Sequence, residues 1–357
     1  MFMKLKKFII IFISIIILII LSILGLYKYN TSSVSNNSAT VKFKVENNQT
    51  FLTLASSLKE NDLIKSEFFY KIYIKLNKPT NLNAGTFILN KNMSNEEIIK
   101  ILSNSPNFNE SYRITFKEGL NMRKIIKLIC ENTNIKQEEI IAKLNNTTYL
   151  NSLIKKYWFL SNDIKNKDIY YSLEGYLFPD TYEFNKDANI GTIFETMLDN
   201  TEKKLEPYKT NIKNSKYSLH EIITLASIVE LEAGNSNDRA GVAGVFYNRL
   251  ENNWSLGSDV TTYYASKVDV NERDLYQTEL DAINAYNTRS SSMVGKLPVG
   301  PICNPGIESI KAAISPKSHN YFYFVADKNK KTYFTVTYNQ HLATISNLKS
   351  ENLWYQY

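Results

Sequence analysis

Residues 8 to 27 run for 20 positions without a charge, and Ile, Leu and Phe dominate them. As a helix rising 1.5 Å per residue, the run spans about 30 Å, the hydrocarbon thickness of a bilayer. It predicts a transmembrane anchor. Lys4, Lys6 and Lys7 precede it, so the excess of cytoplasmic positive charge puts the N-terminus inside and the remainder outside the membrane. A cleaved signal peptide is the competing reading. Its apolar core would be only about 7–15 residues and would end in small residues. This run is longer and ends Leu24-Gly25-Leu26-Tyr27-Lys28, with no Cys nearby to take a lipid. The expected order is therefore a cytoplasmic tail at 1–7, a retained anchor at 8–27 and a solvated Ser/Asn/Thr-rich linker at 28–40.

The rest of the 357-residue chain has room for two or three domains and, at 43% hydrophobic, enough apolar mass for a real core. The net charge of +7 suits an anionic surrounding such as lipid headgroups or wall polymer, and no motif for nucleic acid accompanies it. Cys130 and Cys303 lack metal-site spacing and are expected as free thiols. His220, His319 and His341 are isolated, so neither a metal nor another cofactor is expected. Twelve Gly and eight Pro are about half of average usage, which excludes collagen-like and low-complexity classes. Seven of those Gly, with Pro298, Pro301 and Pro305, fall between Gly234 and Gly306. Special backbone geometry is expected there.

Two segments resemble each other at an offset of 71 residues. Phe43–Val45 and Ile114–Phe116 alternate as strands, and Phe51, Leu54, Leu58 answer Met122, Ile125, Ile129 at helical spacing. A second helix then begins near Ser66 or Lys136. The first copy closes with a short strand at 83–89 and a helix at 94–102, with Ser94 and Glu97 placed as a capping box. Residues 41–105 thus predict a β-α-α-β-α module. A larger region, 110–357, follows and ends in a hairpin of 321–325 with 333–337 across Asp327-Lys-Asn-Lys. Helices and strands without regular βαβ alternation predict an α+β fold.

Leu219 to Ala233 has helical periodicity. The apolar arc centres on Ile222, Ala226, Val229 and Ala233, with His220, Glu221, Thr224 and Ser227 on a polar side and Glu232 at its edge. Glu230 falls inside the apolar arc. A carboxyl there is either paired, with Arg239 or Arg249 as the nearby candidates, or desolvated with the raised pKa that a general acid needs. Arg239 to Leu250 is a second helix, in which Gly241 and Gly244 allow close approach. The loops Tyr286–Thr288, Leu297–Ile302 and Asn304–Gly306 suit an extended polar ligand, although such turns are more often structural.

Several ordered motifs now accumulate: LASIVELEAG, R-x-x-VAGVFYNRL, LGSDVTTYYA, YNTR and LPVGPICNPG, with Lys117-Glu-Gly119 and Leu173–Phe184 upstream. Together they resemble the YceG-like family of membrane-anchored endolytic murein transglycosylases, from the anchor to the end of the chain. The resemblance implies a LysM-like module at 41–105 and a catalytic domain over 110–357. It implies a single-pass protein of the bacterial plasma membrane that acts on peptidoglycan glycan strands, beside peptidoglycan synthases. It also implies that the first Glu of SIVExE is the catalytic acid, here Glu230 and not Glu232. Family enzymes cleave the β-1,4 bond between N-acetylmuramic acid and N-acetylglucosamine in nascent strands without water, form a 1,6-anhydro end, and so terminate elongation. One carboxyl suffices because the nucleophile is intramolecular, whereas the usual hydrolase needs two. Substrate contacts are expected from Asn248, Arg249, Ser258, Asp259, Tyr286, Asn287, Thr288, Pro298 and Gly300.

Many members have Gln and Pro where this chain has Gly257 and Val260, which puts a sugar-binding Gln in doubt. LPPGPI reads LPVGPI here, with Val299. A hydrolase would need a second acid from Glu232, Asp259, Glu174 or Asp180. A non-catalytic glycan-binding protein is the alternative of another class. A Ser227–His220 nucleophilic pair is the weakest reading, since no acid is placed to orient the His.

Overall fold

The computed structural model describes residues 2–108 and 111–354. The chain divides into two compact units, 1–110 and 111–357. The expected first and last residues of the larger region, 110 and 357, lie outside the described residues.

In the first unit, α1 (Phe2–Thr31) is followed by β1 (Thr40–Val45), α2 (Ala55–Glu60), α3 (Glu67–Asn77), β2 (Gly85–Asn90) and α4 (Asn95–Leu102). After α1 this is the β-α-α-β-α order of the sequence reading. β1 and β2 pair antiparallel with Phe43 opposite Phe87, and both rings are buried with Leu54, Leu58, Tyr70 and Ile98. Ser94 accepts from Glu97 N–H, and the Glu97 carboxylate accepts from Ser94 N–H, so the capping box forms. α1 contains a stretch, Leu5–Thr31, long and apolar enough to cross a membrane by length and composition. The linker is shorter than expected. The helix carries on to Thr31, and Lys65 Nζ donates to Tyr29 O at 3.1 Å and Ser32 Oγ at 2.9 Å.

The second unit opens with β3 (Ser111–Thr115), α5 (Met122–Asn132), α6 (Gln137–Leu144) and α7 (Thr147–Lys156). Strand, helix and helix recur here as in the first unit, with Lys136 preceding α6 as Ser66 precedes α3. β4 (Thr181–Asn185) returns to pair antiparallel with β3, Ile114 opposite Tyr182. Then come α8 (Ile190–Leu205), α9 (Lys209–Lys213), α10 (Leu219–Glu232), α11 (Arg239–Glu251), α12 (Asp259–Ala265), α13 (Gln277–Leu280) and α14 (Ile307–Ile314). The hairpin β5 (Tyr323–Ala326) and β6 (Thr332–Thr335) forms at the expected place and leads to α15 (Tyr338–Ser350). The fold is mixed α+β.

α10 is the axis of this unit, starting at a capping box of Ser218 and Glu221 and packing on α11 and α14. Here the amphipathic reading is corrected. Every residue from Ile222 to Val229 is buried, Thr224 and Ser227 included. Their hydroxyls turn back onto helix carbonyls, Thr224 Oγ1 to His220 O and Ser227 Oγ to Thr224 O, both at 2.7 Å. Satisfied within the helix, they need no water, and this part of the apparent polar side packs as core while Glu221 stays exposed.

Candidate active site

Glu230 and Glu232 close α10 two residues apart, so at about 100° per residue their side chains leave on nearly opposite sides. Glu230 is held on every side. Its Oε1 accepts from Arg239 Nη2 at 3.0 Å, and its Oε2 accepts from Gly306 N–H at 3.0 Å and Ser309 Oγ at 2.7 Å. Those donors belong to α11 and to the first turn of α14, so one carboxylate joins three helices. Of the two sequence readings of Glu230, paired or desolvated without a partner, the geometry is the paired one, with Arg239 the partner. The Lys117-Glu-Gly119 turn packs against this pin: a side chain at Gly119 would meet Leu231 and Glu230. Burial pushes the Glu118 carboxyl above its ordinary range, and the Glu230 charge acts in the same direction.

Glu232 lies in the wall of a cavity of about 720 Å³. Glu230 is not among the lining residues. Ser258 Oγ donates to Glu232 Oε1 at 2.6 Å. Burial raises the Glu232 pKa, and the negative charge of Asp259 adds to the rise. The Ser258 hydrogen bond and the Arg249 charge oppose it. Its place in the last turn of α10, where helix carbonyls present negative potential, also disfavours the ionised form. A carboxyl with a raised pKa in a cavity wall is better equipped than an ordinary one to donate a proton to a ligand in that cavity.

Ser258 is itself positioned. Its N–H donates to Thr288 Oγ1 at 3.0 Å, and Thr288 Oγ1 also meets Thr261 Oγ1 at 2.8 Å. Arg249 and Asp259 line the same cavity. Arg249 spends two donors on the backbone, Nε to Phe322 O at 2.8 Å and Nη1 to Leu256 O at 2.6 Å. Asp259 pairs with Arg289.

The other expected contacts are supports, not lining residues. Asn248 Nδ2 donates to His319 O and Tyr321 O and ties α11 to the segment before β5. Tyr286 is fully buried, its ring 4.8 Å from those of both Tyr170 and Tyr264. Asn287, also buried, staples Thr262 Oγ1 and the carbonyls of Leu280 and Ala282. Pro298 and Gly300 flank Val299, whose carbonyl accepts from His220 Nε2 at 2.9 Å if that nitrogen carries the proton. These turns spend their polar groups internally, which is why they do not open onto the cavity. His220 also meets Tyr176 OH at 2.8 Å, and Ser227 Oγ accepts from Ile302 N–H at 3.0 Å, so the two form no nucleophilic pair. Both cysteines are free, and the described residues contain no cluster fit for a metal.

Motif reasoning missed Val270, Asn271, Asp274, Phe324 and His341, which complete the cavity wall. Val270, Asn271 and Asp274 stand in a segment without a distinctive pattern, Phe324 belongs to the hairpin and His341 is an isolated histidine, and only the fold brings them to Glu232.

The model of the YceG-like family matches residues 43–347. The chain belongs to the YceG-like family. Among its relatives is the endolytic murein transglycosylase of Bacillus subtilis, 37% identical over 86% of this chain and 84% of that protein. The enzyme of the same name from Streptococcus pneumoniae is 30% identical over 81% of this chain and 54% of its own length. A crystal structure of a YceG-like protein from Listeria monocytogenes superposes with a TM-score of 0.61 at 29% identity. That likeness covers 86% of this chain and 99% of the other.

Of the three departures from the YceG-like pattern, Gly257 and Val260 line the cavity and Val299 does not. Gly257 has φ +59°, a left-handed conformation that favours glycine, and a side chain there would lie 3.8 Å from the Arg249 guanidinium.

Proposed function

We propose that this chain is an endolytic murein transglycosylase, anchored in the membrane by α1, with Glu232 as its single acid and base. The family membership and the named relatives support the reaction class. The observation that carries the choice of acid is the contrast on α10. Glu230 is pinned by Arg239, Gly306 and Ser309, whereas Glu232 faces the cavity with a raised pKa and one hydroxyl partner.

With a glycan strand in the cavity, protonated Glu232 gives its proton to the glycosidic oxygen as the C1–O bond of the muramyl residue breaks. The resulting carboxylate takes the proton of the muramyl C6 hydroxyl, whose oxygen bonds to C1 and closes the 1,6-anhydro ring. The carboxyl ends protonated and no water is consumed. Ser258, set by Thr288, steadies the carboxylate between the two proton transfers. Cleavage inside nascent strands would terminate elongation, on the extracytoplasmic side and beside the synthases that supply the strand.

The test is the chemistry of the new ends. Purified full-length chain acting on uncrosslinked glycan strands is expected to leave 1,6-anhydromuramyl termini. Glu232→Gln, with an unchanged melting temperature, is expected to leave none. Wild-type turnover by Glu232→Gln overturns the assignment of the acid. Ordinary reducing ends from the unaltered chain overturn the transglycosylase reading and favour a hydrolase with Asp259 as second carboxyl. Glycan binding without cleavage favours a binding protein.

A further inference from the structure

α3 carries more apolar surface than its own unit covers. At about 100° per residue its side chains divide into three arcs. Tyr70 and Ile74 point into the core of the first unit. Phe69 faces α1, its ring 6.5 Å from that of Tyr27 in an edge arrangement, and half-buried Tyr73 follows one turn later on the same side of α3. The third arc, away from the core and bordering the α1-facing one, holds Phe68, Ile72 and Leu76. Phe68 is 66% exposed and Leu76 67%, and Ile72 is half-buried. Exposed Lys71 and Lys75 flank the stripe, and Lys71 shares its charge with Glu67 at 3.3 Å.

The level at which this stripe stands is fixed by α1. Tyr27 is the last residue of the uncharged run, and Phe69, against it, lies beside Phe68 with the two rings 5.4 Å apart. Lys65 locks the same junction by bonding Tyr29 O and Ser32 Oγ and lying 4.0 Å from the centre of the Tyr29 ring. An apolar stripe edged by lysines, next to the end of an apolar span, has the composition of a helix lying in the headgroup layer.

We infer that α3 rests on the outer surface of an anionic phospholipid bilayer through Phe68, Ile72 and Leu76, with Lys71 and Lys75 meeting the headgroups. This rests on α1 spanning the membrane, as proposed above. The first unit is then seated on the lipid at the mouth of the span.

The full chain carrying Cys130→Ser and Phe68→Cys, labelled at residue 68 with an environment-sensitive fluorophore, tests this. It would be reconstituted in nanodiscs of phosphatidylcholine and phosphatidylglycerol, with and without nitroxide-bearing lipids. The expected result is a blue shift at residue 68 and loss of emission when nitroxide lipid is present. Lys71→Glu with Lys75→Glu should reverse part of that loss. A parallel Leu18→Cys label reports the span itself. Water-like, unquenched emission at 68 with quenching at 18 overturns the inference and leaves the anchor standing. Blue-shifted emission at 68 that nitroxide lipid does not touch means that protein covers the stripe, and also overturns it. Loss of quenching at both positions overturns the anchor and the inference together.

Discussion

Arg239 Nη2 stands 3.0 Å from Glu230 Oε1, and the two side chains are only 15% and 7% exposed. A buried pair of this kind is costly to break on one side, because the survivor is a charge without a partner. Glu230→Ala is therefore expected to destabilise the second unit by about 3–5 kcal/mol, measured by urea unfolding of the chain in detergent. A loss below about 1 kcal/mol, the range of surface pairs, would mean that the pin does not hold α10, α11 and α14 together.

Glu232 should behave in the opposite way. Its carboxyl accepts a hydrogen bond from Ser258, and burial disfavours its charge. Replacing it with the neutral isostere removes a charge that folding opposes, so Glu232→Gln should leave the melting temperature unchanged or raise it while cleavage disappears. Loss of stability as large as that of Glu230→Ala would contradict the division of labour between the two residues.

The pH profile carries a sign. Free enzyme needs protonated Glu232, so kcat/KM should fall as pH rises through its pKa, which is raised above the ordinary carboxyl range. The Ser258 hydrogen bond holds that pKa down. Ser258→Ala is thus expected to move the alkaline limb to higher pH as well as lower the rate. A limb that stays in place, or moves to lower pH, would show that Ser258 does not act through the Glu232 proton.

The difference between these two acids also marks how far the sequence could be read. Helical periodicity placed α10 at Leu219, and α+β order, the module's element order and the final hairpin were all legible from local patterning. The wheel failed where it relied on polarity. Thr224 and Ser227 look solvent-facing by composition but are satisfied within the helix, so burial extends beyond the apolar arc, which is itself buried, onto part of the polar side. Nor does azimuth distinguish a carboxyl meeting an arginine from one meeting a cavity. That depends on Gly306, Ser309, Asp274 and His341, which are distant in sequence. Motif position alone pointed to Glu230 and not to Glu232.

Glu174 gives a stability prediction that is independent of catalysis. It is buried, accepting from Met122 N–H at 2.8 Å, Tyr264 OH at 2.9 Å and Asn304 Nδ2 at 3.0 Å. Burial outweighs those donors and pushes its pKa up to about 7. A carboxyl whose pKa is higher folded than unfolded stabilises the fold fully below the unfolded value. That contribution is lost as pH rises through the folded value. At about 1.4 kcal/mol per pH unit, the chain should lose about 3 kcal/mol between roughly pH 4.5 and 7. Glu174→Gln should lack that slope, whatever its own fixed cost. Chemical unfolding at three or four pH values in that window decides it, and equal slopes would rule the assignment out.

The glycines of α11 yield a last prediction, in which the identity of the obstructing atom sets the magnitude. An added methyl at Gly241 would meet the Phe334 ring, with its nearest atom 2.6 Å away, whereas one at Gly244 would press on the main-chain carbonyl of Lys317 and on the His319 ring. Phe334 sits on a half-exposed hairpin and can swing outward. The Lys317 backbone is held by its own N–H donating to Ala240 O at 2.9 Å, and His319 by Asn248. Overpacking costs about 1–3 kcal/mol when neighbours must shift, and a backbone carbonyl shifts least. Gly244→Ala is therefore expected at or above the top of that range and Gly241→Ala near its foot. Because Asn248 and Arg249 follow on the same helix, Gly244→Ala should also lower cleavage by tilting Arg249 away from the cavity wall, and Gly241→Ala should not. Equal destabilisation by the two variants would mean that α11 moves as a body and that the Lys317 contact does not fix its distance.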